Sequence, residues 1–238
     1  MKRLVYDGGM HVTDLPERTQ DYLKELFNHE ERSGVNLPLA LGDLAAALDQ
    51  KLPTASEAVK RLAAKDLVVH ERYRGVTLTD LGRDLARQVA RRHRLLESFL
   101  VTTLGYTWDE VHEEADVLEH ACSDRFIARL DAHLDYPKRD PHGDPIPLAD
   151  GTTDPLSTCT LAGISAGQEV IMEQVNDSDP ELLRFLATQN MRPGATIEVV
   201  EAPLAGLLHI KVDGGTPFAL AEVAAHEITV RAIGADKN

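Results

Sequence analysis

The sequence predicts a mainly α chain of the α+β class, built as an N-terminal winged helix-turn-helix, an all-helical unit and a small C-terminal β-barrel. Three observations carry that expectation. Two short helical patterns meet at a tight turn, and β-branched runs on either side of Arg74 and Gly75 follow them. A long amphipathic stretch and two further helical patterns then run to Leu134. After a proline-rich stretch, short alternating runs punctuated by Arg192-Pro193-Gly194 and Asp213-Gly214-Gly215 read as strands.

Composition bounds the rest. The 238 residues, 43% hydrophobic, suffice for one to three cores. No apolar run approaches the ~18–20 residues of a membrane span, and the N-terminus lacks the apolar region of an export signal. Two cysteines, Cys122 and Cys159, are too few for a disulfide framework and fit a reducing cytoplasm. The net charge is −14, but it is unevenly spread. From Lys51 to Arg94 there are eleven basic and five acidic side chains, a balance of +6, leaving −20 on the remainder. A basic segment in an acidic chain is a candidate footprint for phosphate backbone.

In order, residues 1–14 are expected as a flexible arm and 15–84 as the winged helix-turn-helix. After Leu15 and Pro16 a helix to about Arg32 buries Tyr22, Leu23, Leu26 and Phe27, carries Asp21 beside them, and ends at Ser33-Gly34. Residues 39–49 form a short Ala- and Leu-rich helix, 50–52 a turn, and Pro53 opens the second helix of the pair. That helix buries Ala58, Val59 and Leu62. It exposes Thr54, Ser56, Glu57, Lys60 and Arg61 in the position that enters a major groove, with Pro53 suited to touch a thymine methyl. Arg72 and Arg74 at the tip of the following hairpin suit phosphate contacts.

Thr79 and Asp80 cap a long helix that carries His93 and Glu97 and ends near Gly105. Helices over 108–119 and 120–134 complete a helical unit, 85–136, whose apolar excess suits a dimer interface. Residues 137–155, with five prolines and two glycines from Tyr136 on, read as a linker. The unit 156–238 carries strands over 168–175, 196–201, 207–212, 216–220 and 227–232, and a helix over 179–187.

The chemistry concentrates in V-H-E-E-A-D-V-L-E-H-A-C-S-D, Val111 to Asp124. Asp116, Glu119 and His120 at i, i+3 and i+4 share one helix face. Two carboxylates and an imidazole repel unless a cation sits among them. The alternative is a solvated acidic face that includes a histidine. His112 lies on the same helix, and His93 and Glu97 repeat the i, i+4 spacing on another.

The ordered set P-T-A-S-E-A-V, L-T-D-L-G-R, R-R-H-R-L-L-E-S-F-L, V-H-E-E-A-D-V-L-E-H-A-C-S-D and H-G-D-P-I-P resembles the diphtheria-toxin-repressor or iron-dependent-regulator family, which includes the manganese transport regulators. The resemblance runs over nearly the whole chain after residue 15. It implies a metal-dependent transcriptional regulator, most members being repressors of metal-uptake genes, with a helical dimerisation and metal domain and a C-terminal SH3-like domain. By position it implies a principal metal site of Asp21, Asp116, Glu119 and His120. It implies an ancillary site of His93, Glu97 and His112, completed by Asp179 or its neighbour Glu181. Iron-type members place Met and Cys where Asp21 and Asp116 stand here. Oxygen in place of sulfur moves the expected metal to Mn(II), with Fe(II) the alternative and Zn(II), Co(II), Cd(II) or Ni(II) substituting in vitro. Lys24 stands where the manganese regulators use a second carboxylate, which bears on how many ions the principal site holds. The expected partners are a double-stranded, pseudo-palindromic DNA operator and a second copy in a homodimer, with no membrane and no small organic ligand. Two other readings differ in class. One is a metal-independent winged helix acting through a protein partner. The other is a metalloenzyme, disfavoured because the paired E-x-x-H motifs of di-iron bundles are absent around Glu119.

Overall fold

The computed structural model describes residues 10–234, so positions 1–9 of the expected arm, like 235–238, lie outside the described residues. The chain forms two compact units. The first comprises the chain to His93 with Glu119–Cys122 and Pro147–Thr152; the second comprises Arg94–Leu118, Ser123–Ile146 and the chain from Thr153. No helix among the described residues is long and apolar enough to cross a membrane.

In the first unit the described part of the expected arm packs: Val12–Asp14 form a 3-10 turn, capped by His11, and Val12 is buried. Helix α1, Glu17–Ser33, buries Tyr22, Leu23, Leu26 and Phe27 at the spacing read from the sequence. Helices α2, Leu41–Ala47, and α3, Leu52–Ala64, pack Leu44 and Ala45 into one core with Ala55, Ala58, Val59 and Leu62. Pro53 lies in the first turn of α3, where its missing N–H costs nothing. Strands β1, Val68–Glu71, and β2, Gly75–Leu78, pair antiparallel from Val68↔Leu78 to Glu71↔Gly75. Gly75 is required there: its φ is +126°, and a Cβ would lie 2.4 Å from the Leu39 carbonyl oxygen. That carbonyl belongs to the bridge Leu39↔Val76, which fastens the wing to the rest of the unit. Helix α4, Asp80–Phe99, starts in this unit. Near its start Arg83 donates to Glu30 at 2.8 and 3.1 Å, to Asn36 at 3.0 Å and to Asp80 at 2.9 Å, tying α1 to α4.

The second unit takes up α4 from Arg94. The helix gives way to one π turn, Leu100–Leu104, where the Ser98 and Thr102 hydroxyls donate to carbonyls one turn back, and Gly105 ends it. Helix α5 is Val111–Glu119. Helix α6 spans Asp124–His133, a later start than the expected 120, because Ser123 accepts the Phe126 N–H as its N-cap. The C-terminal part is an antiparallel sheet in the order β6-β5-β4-β3-β7. Its strands are β3, Glu169–Val175; β4, Thr196–Leu204; β5, Leu207–Val212; β6, Phe218–Ala221; and β7, Ile228–Ala232. Register shifts in β3 and β4 increase the local twist and curl this small SH3-like sheet. The hairpin β4–β5 runs further than expected because Ala205 and Gly206 both take positive φ, the backbone of a tight type I′ turn. Helix α7, Pro180–Thr188, lays Leu183 and Leu186 into the same core as Val170, Met172, Ile197, Val199, Leu208 and Trp108. A short helix α8, Glu222–His226, lies between β6 and β7, in a run too short to show a helical period.

Candidate metal centres

Each unit gathers its own group of carboxylates and imidazoles. In the first unit α1 supplies Asp21 and Lys24, the end of α5 supplies Glu119, the turn after it His120, and α4 His93. His120 Nε2 lies 3.0 Å from Asp21 Oδ1 and 3.6 Å from Glu119 Oε1. Its Nδ1 is 3.2 Å from Gln20 Oε1, and the Gln20 amide is itself oriented by donating to the Leu15 carbonyl at 2.9 Å. Both ring nitrogens therefore face acceptors. The hydrogen bond to Asp21 raises the His120 pKa against the cost of burial, with Glu119 adding to it and Lys24 opposing. Glu119 is 0% exposed. Lys24 Nζ sits 2.9 and 3.0 Å from its two oxygens, and His93 Nδ1 2.6 Å from Oε2.

In the second unit Glu97, 1% exposed near the end of α4, is the hub. His112 Nδ1 lies 3.3 Å from Glu97 Oε1 and 3.0 Å from Asp177 Oδ2. Asp116, one turn on, places Oδ2 3.7 Å from the other nitrogen of His112. From the segment after α6 comes His142, 0% exposed, with Nδ1 3.7 Å from Glu97 Oε2. His142 Nε2 is 2.6 Å from the Trp108 carbonyl oxygen, so that nitrogen carries a proton and Nδ1 turns to the cluster. Asp140 Oδ1 accepts the His142 and Asp144 N–H groups, and Glu97, Asp140 and His142 together present one ligand atom each within 4.8 Å.

Charge balance sets the protonation of this group. Burial disfavours the His112 charge, but hydrogen bonds to Asp177 and Glu97 lift its pKa to about 11. Burial likewise opposes the His142 charge, and Glu97 and Asp140 lift it to about 10. Burial, then the Asp144 and Glu97 charges, hold the Asp140 carboxyl well above the usual range. Asp177 is pushed below that range by His112 although burial works the other way.

Both groups fit a divalent cation. In each, one imidazole nitrogen is fixed on a protein oxygen (Gln20 for His120, Trp108 for His142), and the other points among carboxylates. In the second group the protons of His112 and His142 now supply the positive charge that a cation would supply.

The other expected residues are placed as follows. Asp179 caps α7, accepting the Glu181 and Leu182 N–H groups at 2.9 and 3.1 Å, and the carboxylate against His112 is Asp177. The cue was legible: Pro180 in the first turn marks the residue before it as the cap. Asp140 and His142 escaped sequence reading because their run looked like a linker. On α3, Pro53, Thr54, Glu57, Lys60 and Arg61 are exposed and Ser56 half-buried, with Lys60 and Glu57 paired at 2.7 Å. On the wing, Arg72 stacks 4.8 Å above the Tyr73 ring and Arg74 pairs with Glu71 at 2.8 Å.

Three family models match successive stretches of the chain. Residues 14–76 match the iron dependent repressor N-terminal DNA binding domain, 79–148 the iron dependent repressor metal binding and dimerisation domain, and 159–232 the FeoA domain. The chain is 32% identical over 234 residues to the iron-dependent repressor IdeR of Mycobacterium tuberculosis, covering 93% of this chain and all of that one. It is 34% identical over 200 residues to the diphtheria toxin repressor of Corynebacterium diphtheriae, covering 80% and 87%. Among solved structures, a manganese-dependent transcriptional repressor in complex with manganese is 41% identical with a TM-score of 0.83, covering 90% of this chain and 100% of that one. ScaR with bound Cd2+ is 36% identical with a TM-score of 0.76, covering 90% and 99%.

Proposed function

The chain belongs to the iron-dependent repressor family, and from that premise we propose that it is a manganese-responsive repressor of metal-uptake genes that binds a pseudo-palindromic operator as a dimer. That it is a metal-dependent, DNA-binding regulator of metal homeostasis, and not an enzyme, follows from the family. The choice of metal rests on one observation: the two donor groups consist of carboxylates and imidazoles without sulfur. Hard oxygen donors with a few imidazoles suit Mn(II) better than thiolate-preferring ions, and Fe(II) is the nearest competitor. The manganese complex of a 41%-identical relative supports the same reading.

A divalent cation, when bound, supplies the positive charge that allows the carboxylates of each group to converge. The chain's residues do the rest. Asp21 on α1 and Glu119 and His120 at the end of α5 bring two separate elements to one point, so occupancy fixes α1 against that turn. Gln20 holds the His120 ring, and through Leu15 connects it to the start of the helix. Since α1 and α3 share one core, fixing α1 biases the placement of α3. Exposed Lys60, Arg61, Arg72 and Arg74 then neutralise phosphates, the source of most salt-dependent affinity. Pro53, Thr54, Ser56 and Glu57 at the start of α3 read base edges, Glu57 by accepting from a cytosine amino group.

The test is a fluorescence anisotropy titration on DNA upstream of metal-transporter genes of the host, in chelator, with Mn(II), and anaerobically with Fe(II). Binding that requires metal, with Mn(II) the more potent, supports the proposal. Equal affinity in chelator overturns metal gating, and greater potency of Fe(II) overturns the choice of metal.

A further inference from the structure

Lys24 is the unusual member of the first donor group. Its residue is 9% exposed, and its ammonium lies within 3.0 Å of both oxygens of Glu119, a fully buried carboxylate. It also lies 3.2 Å from His93 Nδ1, itself 2.6 Å from the same carboxylate. Glu119 is the carboxylate that reaches His120 on its other side, at 3.6 Å. One acidic group therefore serves a protein-borne ammonium and the candidate metal position at once.

We infer that Lys24 is a resident cation that sets the first centre's metal affinity low and restricts it to a single ion. The inference rests on the reading of Asp21, Glu119 and His120 as a divalent-cation site. A buried carboxylate without a counter-charge is costly, so the ammonium stabilises the metal-free arrangement. When a divalent ion arrives at Glu119, the same ammonium repels it and competes for the same oxygens, weakening binding. On the other side Asp21 Oδ1 faces the His120 ring at 3.0 Å, and the Lys24 charge opposes a positive charge on that ring as well. Lys24 also occupies the position beside the Glu119–His93 pair, within 3.2 Å of both. A carboxylate in its place would leave two carboxylates and an imidazole around that position, the donor set of a second cation site.

The experiment uses the full chain with Asp177→Ala to silence the second unit's group. It measures Mn(II) affinity and stoichiometry from the electron paramagnetic resonance of free Mn(II), alongside thermal melts in chelator. Lys24→Met is expected to bind Mn(II) about tenfold more tightly or better, and to melt lower than the parent in chelator while gaining more from Mn(II). Lys24→Arg keeps the charge and is expected to behave as the parent. Lys24→Glu is expected to take up one additional ion per chain. Unchanged or weaker binding by Lys24→Met with a native circular dichroism spectrum overturns the affinity role. Unchanged stoichiometry in folded Lys24→Glu overturns the single-ion role. His120→Ala separates the two levels. If it leaves Mn(II) binding intact, the first centre itself is misassigned. If it abolishes binding while the Lys24 variants change nothing, only the role of Lys24 falls.

Discussion

The second unit's group makes its metal affinity steeply dependent on pH. In the metal-free protein His112 holds its proton up to about 11 and His142 up to about 10. Across pH 6.5 to 8.5 both rings are therefore charged and balance the carboxylates of Glu97 and Asp177. A divalent ion takes the place of those protons, because a ligating imidazole must be neutral. Two protons leave for each ion, and Asp140, whose carboxyl pKa is raised by burial and by the Asp144 and Glu97 charges, steepens the dependence further if it joins the ligands. The sign follows: lowering the pH favours the protonated, metal-free state. One pH unit per proton is worth about 1.36 kcal/mol, so two protons give about 2.7 kcal/mol, or roughly a hundredfold in affinity per pH unit. The assay silences the first centre with Asp21→Ala and His120→Ala. It then compares Mn(II) isotherms at pH 6.5 and 7.5, and counts protons calorimetrically in two buffers of different ionisation enthalpy. A change under tenfold per pH unit, or fewer than one proton released per ion, refutes the reasoning.

Other outcomes follow from neighbouring contacts. Asp177→Ala should abolish Mn(II) binding at the second group, whereas Asp179→Ala should leave it intact and lower stability by about 1 kcal/mol through the lost cap of α7, as chemical denaturation would report. Gly143 has φ +95°, and a Cβ there would lie 2.0 Å from the Glu173 carbonyl oxygen. Gly143→Ala should therefore displace the loop carrying Asp140 and His142, weakening Mn(II) binding in the isotherm as well as lowering the melting temperature. Arg83→Met strands the buried Glu30 carboxylate and should cost about 3–5 kcal/mol, while adding Glu30→Met should recover most of the loss in a double-mutant cycle.

The positions of most helices and strands were legible because their apolar residues repeat at 3.6 or 2 residues, as in Tyr22, Leu23, Leu26 and Phe27 of α1 or the alternation along β5. The wing was legible from Arg74-Gly75, where positive φ demands glycine. Boundaries set by a side-chain cap were less so: Ser123 delays α6 by four residues, and α8 lies in a run too short to show a period. Within the donor groups, local spacing picked out Glu119 with His120 and His93 with Glu97, and only the family resemblance joined His112 to Glu97. The contributions of Asp140, His142 and Asp177 depend on chain segments tens of residues apart, brought together by bonds such as Val175 N–H to the His142 carbonyl. No periodicity encodes such a contact, and a proline-rich segment gives no hint that one of its imidazoles is buried.

One contact described above turns the second centre into its own optical reporter. The sequence holds a single tryptophan, Trp108. Its indole lies nearly parallel to the His142 ring, with centroids 6.0 Å apart and planes at 16°, and its carbonyl fixes the same imidazole. A charged imidazole stacked on an indole accepts an electron from the excited state, and a neutral one does so far less. Exchange of the His142 proton for Zn(II), a closed-shell ion, should brighten the emission, and Mn(II), being paramagnetic, should dim it. The light given off by one residue thus reads the second centre alone, separately from the first, without a label on the protein.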